Sequence, residues 1–175
     1  MTIHLSEIIS TTSKKEYYSI PIGIDTFKMN GEDYGIVHKE PLTLCISNTG
    51  NRLILIEGKI EVTVTIPCGR CLEPVNTDFS LDIHKELDFK ASEEDRINEL
   101  DETNYIDGSD LDADALVHNE ILINFPMKVL CKEGCKGICC KCGKNLNHGT
   151  CDCEEGSLDP RMMAVQDIFN NFKEV

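Results

Sequence analysis

The sequence predicts an α+β protein: a mostly antiparallel, curled or barrel-like β-sheet with one or two helices, followed by a Cys-rich C-terminal segment that binds zinc. Three observations carry that expectation. Residues 3 to 89 alternate apolar and polar side chains between clusters of Gly, Asn, Asp and Pro, the pattern of half-buried strands joined by short turns. Residues 112–125 change to three- and four-residue apolar spacing, which is helical. All the cysteines except Cys45 fall at 68–71 or between 131 and 153.

Taken in order, Tyr17-Tyr18-Ser19-Ile20-Pro21-Ile22, Leu42-Thr43-Leu44-Cys45-Ile46 and Leu53-Ile54-Leu55-Ile56 are predicted strands. The clearest strand is Lys59 to Ile66. There Ile60, Val62, Val64 and Ile66 alternate with Lys59, Glu61, Thr63 and Thr65, so the aliphatic side chains share one face. Asn48-Thr49-Gly50-Asn51 and Glu57-Gly58 have turn chemistry and bracket the intervening strand. Beyond Cys71, the residues Val75, Phe79, Leu81, Ile83, Leu87 and Phe89 mark a returning strand. Such short connections favour antiparallel pairing.

Residues 86–114 hold twelve carboxylates against only Lys90 and Arg96, a local balance of −10 within a total of −14. Blocks of like charge are usually solvated, so a loop is the plain expectation and a docking surface for a basic partner the sharper one. Leu111, Ala115, Leu116, Ile121, Leu122 and Phe125 predict the helix over 112–125, with Asp112 or Asp114 as its cap and Pro126 closing it. Residues 129–153 are too poor in apolar side chains to fold by burial alone. A bound metal would supply the missing free energy. Asp159-Pro160-Arg161 to Phe172 predicts a last helix, with Asp159 as N-cap, Pro160 at the first helical position and an apolar stripe of Met162, Val165, Ile168, Phe169 and Phe172. The chain thus divides into a β-rich core, 1–128, with its acidic insertion (86–114) and helix (112–125), and a metal-binding segment with a C-terminal helix, 129–175.

Composition narrows the function classes. An apolar fraction of 41% supports a hydrophobic core, and 27% charged residues is ordinary for a globular protein. No stretch approaches the roughly 20 apolar residues of a membrane span, and Met1 to Glu7 has neither a basic n-region nor an apolar h-region. A cytoplasmic location, without a membrane partner, is expected. A net charge of −14 repels phosphate backbones, so direct nucleic-acid binding would need a local cationic patch.

In a reducing compartment, clustered thiols bind metal more often than they pair as disulfides. Cys68-Gly69-Arg70-Cys71 joins two well-patterned strands, and a Cys-x-x-Cys turn containing Gly lets both sulfurs converge on one ion. The rival reading is a redox dithiol, which wants its first Cys at a helix N-terminus; here Leu72-Glu73-Pro74 leads into a turn and strand. Two thiolates are half a structural zinc site. We therefore group Cys68, Cys71, Cys131 and Cys135 as one site, and Cys139, Cys142, Cys151 and Cys153 as a second, for one or two structural Zn2+ ions. Other divisions stay open: Cys140-x-Cys142, a single site using the middle pair and two late thiols, His148 in place of a thiol, or an iron–sulfur cluster, although Gly-containing knuckles favour zinc. Cys45 sits in an apolar pattern and reads as a small buried side chain.

No Gly-rich phosphate loop, His-Glu-x-x-His or Gly-x-Ser-x-Gly is present. His4, His38, His84 and His118 are scattered singly. Catalytic residues are therefore not assigned, and neither an enzyme activity nor a small-molecule substrate is expected.

Several motifs together have a precedent. Ile66-Pro67-Cys68-Gly69-Arg70-Cys71-Leu72, then Leu130-Cys131-x-x-x-Cys135-Lys136-Gly137-Ile138-Cys139, Cys142-Gly143-x-Asn145-Leu146-Asn147 and Asp159-Pro160-Arg161 resemble, in order and spacing, the YceD family of large ribosomal RNA subunit accumulation proteins. One departure is Cys140, where the family commonly has Pro. The resemblance implies a role in accumulation or processing of large-subunit ribosomal RNA, and a zinc-stabilised ribosome-biogenesis factor without enzymatic activity is the leading expectation. Its partner would be a basic ribosomal protein, met by the acidic residues 86–114, or the large-subunit rRNA precursor. Direct RNA binding would use Arg70, Lys128, Lys132, Lys136, Lys141 and Lys144 around the knuckles. A thiol-redox or hydrolytic enzyme is the remaining class.

Overall fold

The computed structural model describes residues 1–50, 52–89 and 104–153. Its elements run β1 (Thr2–His4), α1 (Ser6–Ser10), β2 (Lys15–Ile20), β3 (Thr26–Met29), β4 (Glu32–Lys39), β5 (Leu42–Gly50), β6 (Leu53–Pro67), β7 (Pro74–Asp88), β8 (Ile106–Asp107), β9 (Asp110–Asp112) and α2 (Ala113–Ile123). Among the described residues the architecture is mostly antiparallel sheet with two helices. The helix predicted over 159–172 lies outside the described residues, as do residues 90–103 of the acidic segment.

The organising element is β6. One edge pairs with β7 along its whole length, from Leu53↔Asp88 to Pro67↔Pro74. The other edge is shared: its first half pairs with β5 and its second half with β4. β2 then extends the sheet beyond β5, and β3 extends it beyond β4. Among the described strands β7 does not pair with β2 or β3, so the sheet is open and not closed into the barrel that its curl suggested. β5 and β4 share one edge of β6 and carry β2 and β3 outward from it, while β7 lies on the opposite edge.

Glu57-Gly58 is not a turn. The two strands predicted on either side of it are one, because Gly58 continues both ladders, opposite Leu44 on β5 and Ile83 on β7. A Cβ at Gly58 would lie 2.5 Å from Leu44 Cδ2 and 2.5 Å from the Thr43 carbonyl oxygen. The glycine serves close packing, not chain reversal. The real reversals are elsewhere. Gly50 and Arg52, with φ of 105° and 63°, turn β5 into β6, while Asn30 (φ 52°) and Gly31 (φ 84°) turn β3 into β4, the Asn-Gly signature of a tight hairpin.

The inward face is as the alternation requires. Ile60, Val62, Val64 and Ile66 are 5% exposed or less and join Leu44, Ile46, Phe79, Leu81 and Ile83 in one core. Cys45, by contrast, is half-buried on the other face, opposite Tyr17 and Glu57, and is not a core residue. The described end of the acidic segment is also more than a loop: β8 and β9 form a hairpin that pairs with β1. Asp112 caps α2 by accepting from the backbone N–H groups of Asp114 and Ala115. The helix ends at Ile123, two residues earlier than its apolar spacing suggested, since the residue before Pro126 disfavours helical geometry. Phe125 instead packs against Phe27, Tyr34 and Phe79, with ring centroids 5.4, 5.2 and 6.3 Å away. That anchor directs the chain from α2 to the tip of the β6–β7 hairpin. No described helix is long and apolar enough to cross a membrane.

Candidate metal centres

The β6–β7 hairpin ends in Cys68-Gly69-Arg70-Cys71. The Gly69 N–H donates to the Val129 carbonyl at 2.8 Å, which docks the segment after α2 against this turn. Cys131 and Cys135 are thereby delivered to Cys68 and Cys71. The Sγ atoms of these four cysteines all lie within 4.8 Å of one another. Cys68 and Cys135 are 3.8 Å apart, and Cys71 and Cys131 3.5 Å. A tetrahedral zinc with bonds of about 2.3 Å holds its sulfurs roughly 3.8 Å apart, whereas a disulfide needs about 2 Å. The site is enclosed, with Cys68, Cys71 and Cys135 only 0%, 5% and 3% exposed.

A second group follows. Ile138 bridges Asn145, and the Cys139 N–H donates to the Lys144 carbonyl at 2.9 Å, making a small hairpin that presents Cys139 and Cys142. Cys151 and Cys153 close on them, again with all four Sγ atoms within 4.8 Å. This group is more open, because Cys142 is exposed and the other three are half-buried. Cys140 and His148 stand outside both groups. Cys140 is exposed, and the His148 ring pairs with the Glu73 carboxylate. None of the ten cysteines is in a disulfide.

Thiols so close cannot all ionise without a cation. In the inner group the Cys71 N–H, with help from those of Arg70 and Cys131, overcomes burial and holds Cys68 down to about 6. At Cys71 the Glu73 N–H favours the thiolate, but burial and the thiols of Cys68, Cys131 and Cys135 outweigh it and push Cys71 up to about 12. The outer group repeats the division. N–H groups of Cys142 and Lys141 bring Cys139 down to about 6, while Cys142, burial and Cys139 push Cys153 up to about 12. A divalent ion at each centre removes the conflict by ionising every ligand. Both groups can therefore hold a metal ion.

Sequence spacing did not expose the parts that join the two centres. Asn147 donates from Nδ2 to Cys135 Sγ at 3.3 Å and accepts the Lys136 N–H at 3.0 Å. Arg70 donates from Nη1 to the Cys135 carbonyl at 2.9 Å and accepts the Ile138 N–H on its own carbonyl at 3.2 Å. Gly137, at φ 77°, lets the second hairpin approach Arg70, since a Cβ there would sit 3.1 Å from the Arg70 carbonyl oxygen. The available signal was Asn-Leu-Asn itself, polar residues held between cysteines, where outer-sphere partners of a metal site are found.

The family model "Large ribosomal RNA subunit accumulation protein YceD" matches residues 56–169. The "Large ribosomal RNA subunit accumulation protein YCED homolog 1, chloroplastic" of Arabidopsis thaliana is 29% identical over 135 residues, covering 59% of this chain and 40% of that protein. Uncharacterized proteins of Mycobacterium tuberculosis (strain ATCC 25618 / H37Rv) and Mycobacterium leprae (strain TN) are 24% and 22% identical over 93 residues, each covering 53% of this chain and 45% and 43% of the relative. The match thus spans less than half the length of these relatives. No solved structure matches the chain. With the matched region taking in β7, α2 and both cysteine groups, the chain belongs to the YceD family of large ribosomal RNA subunit accumulation proteins.

Proposed function

We propose that the protein is a non-enzymatic, cytoplasmic ribosome-biogenesis factor that promotes large-subunit ribosomal RNA accumulation or processing, and that each cysteine tetrad holds one structural zinc ion. The observation that carries the structural role is the donor set. Four protein sulfurs fill a tetrahedral zinc and leave no position for water or substrate. Two knuckle turns and sulfur separations suited to a single central ion support zinc over an iron–sulfur cluster. Family membership supports the pathway.

The partner in this reading is a basic ribosomal protein or the large-subunit rRNA precursor. A basic protein finds charge complementarity on the outer face of the sheet, where Asp78, Asp82, Glu86 and Asp88 of β7 are exposed beside Glu57 and Glu61 of β6. Charge of this kind steers encounter more than it tightens binding. A second reading, direct contact with RNA, is favoured by the lysines of the metal lobe. Depletion of the protein in its own host tests the pathway: the ratio of large- to small-subunit rRNA should fall and recover on re-expression. An unchanged ratio contradicts the proposal.

A further inference from the structure

The outer face of the sheet is not flat. Between β2 and β7 it holds a hollow of about 650 Å³. Tyr17, Cys45, Glu57 and His84 stand side by side across it, since Tyr17 pairs with Cys45, Cys45 with Glu57 and Glu57 with His84 in register. In the next row Lys59 and Asp82 close on each other at 2.9 Å. The floor is main chain, at Leu44, Gly58 and Ile83. The Leu44 and Ile83 side chains are buried in the core on the other side, and Gly58 has none. On the β2 side the wall is apolar surface, where the Tyr17 ring is 75% exposed beside half-buried Cys45.

Carboxylates surround the hollow. On the outward side of β6 and β7, Glu57, Glu61, Asp78, Asp82, Glu86 and Asp88 are exposed against Lys59, Lys85 being turned inward to Glu120. Lys15, on β2, sits over the Tyr17 ring, 5.5 Å from its centroid. Two of the carboxylates are placed to either side of the seat. Counting from the Gly58↔Ile83 pair, Glu61 lies three residues along β6 in one direction, and Glu86, opposite Leu55, lies three residues in the other. At the rise of a strand that is roughly 10 Å each way. Glu61 and Glu86 are both exposed and stand outside every described ion pair.

The charge selects the occupant. RNA and a second copy of this chain, at −14, are both repelled by such a face. A metal is not suited either, because Cys45, Glu57 and His84 lie in a row, whereas the groups of ligand atoms that converge among the described residues are the two tetrads. An apolar seat with carboxylates on both sides matches a bulky apolar side chain with cations on both sides. We propose that the hollow seats one such side chain of an extended, basic segment of a partner protein, with Lys or Arg about two to four positions to either side reaching Glu61 and Glu86. The seated side chain lies against the Tyr17 ring, Cys45 and the Gly58 main chain. Its burial supplies affinity, while the carboxylates steer encounter and fix register. This rests on the reading above in which a basic protein meets the acidic face, and adds where that protein is gripped.

The test is a titration of the full-length chain, followed by amide NMR shifts, with a synthetic peptide whose central leucine is flanked on each side by serine, arginine and lysine. Added to about 1 mM, the peptide should shift the amides of Tyr17, Cys45, Gly58 and His84 most. Replacing its leucine by glycine should weaken binding at least ~10-fold, as loss of one buried leucine does. Cys45→Trp, which fills the hollow, should abolish the shifts, and Cys45→Ser should bind as the unaltered chain does. Glu61→Gln/Glu86→Gln should weaken binding about 5-fold at low salt, and Asp33→Asn/Asp107→Asn, an equal charge change away from the hollow, less than ~2-fold. Unmoved amides around the hollow, shifts centred on β3 or the metal lobe, or equal loss in the two charge pairs overturns the inference. The same peptide with glutamates for its cations should not bind; if it does, the partner named here is wrong. Equal binding of the leucine and glycine peptides removes the seat and leaves the basic-protein reading standing as diffuse attraction. An rRNA ratio that never falls on depletion removes the proposed function and leaves the hollow standing.

Discussion

Leu72 and Gly143 occupy the same place in two turns far apart in the chain. Each follows a Cys-x-x-Cys and donates its backbone N–H to the carbonyl of the first cysteine, Leu72 to Cys68 at 3.0 Å and Gly143 to Cys139 at 2.9 Å. Both have positive φ, 63° and 73°. Gly adopts this conformation freely, whereas a side chain there costs about 1–2 kcal/mol. Leu72 is 65% exposed, so little burial offsets that cost. Leu72→Gly should therefore raise stability by roughly 0.5–1 kcal/mol after allowing for the greater freedom of Gly in the unfolded chain. Gly143→Leu should lower it. Denaturant unfolding of the zinc-loaded variants checks the pair, and a less stable Leu72→Gly would show that the leucine side chain has a contact role.

The contrast between the turns also marks what could be read from sequence. Both knuckles were visible because metal ligands come in close pairs, and the strands from 59 to 89 were visible because one face is buried. Gly58 misled, since glycine in a turn and glycine under a neighbouring leucine look alike until the partner strand is known. The Asn30-Gly31 hairpin has its signal in the Asn-Gly pair alone, because Lys28, Glu32 and Asp33 break the alternation around it. Closure of the sheet was not legible, as it depends on which edge of β6 the short strands choose. Nor were the ties made by Asn147 and Arg70, which cross between segments and leave no periodicity.

Gly58 gives a prediction of its own. A methyl group there meets Leu44 and the Thr43 carbonyl at a distance real Cβ atoms do not show, in the middle of the longest strand pair. Gly58→Ala should destabilise the fold by about 1–3 kcal/mol, the usual range for overpacking, with both β5 and β7 loosened in amide exchange. An unaffected midpoint would mean that β5 shifts without cost.

Asn147 should matter to the metal without touching it. Removing a partner that hydrogen-bonds a ligand commonly weakens metal affinity by roughly 10–100-fold. Asn147→Ala is expected to speed zinc loss to a chromogenic chelator from the inner tetrad while leaving the outer tetrad's rate within ~3-fold. Equal acceleration at both would mean that Asn147 supports the lobe as a whole.

Chelation should act on one part of the molecule. The sheet has a continuous apolar core of its own, whereas Cys68, Cys71 and Cys135 form a separate cluster against which, among the described residues, the partly buried hydrophobics Val75, Leu130 and Cys131 pack. Metal removal should release amide protection in residues 129–153 and leave that of β5 to β7 in place. Zinc should leave in two phases, the exposed outer tetrad first. Cooperative loss of the whole sheet would show that the lobe is part of the core.

The central claim is that two separate tetrads each hold one zinc. Native mass spectrometry of the chain, purified without added metal and with thiols counted after denaturation, tests it most directly. The expected result is two zinc ions per chain, one after Cys68→Ser/Cys71→Ser and one after Cys139→Ser/Cys142→Ser. A metal-free chain with disulfides among these cysteines, or a single zinc lost in both variants, would contradict it.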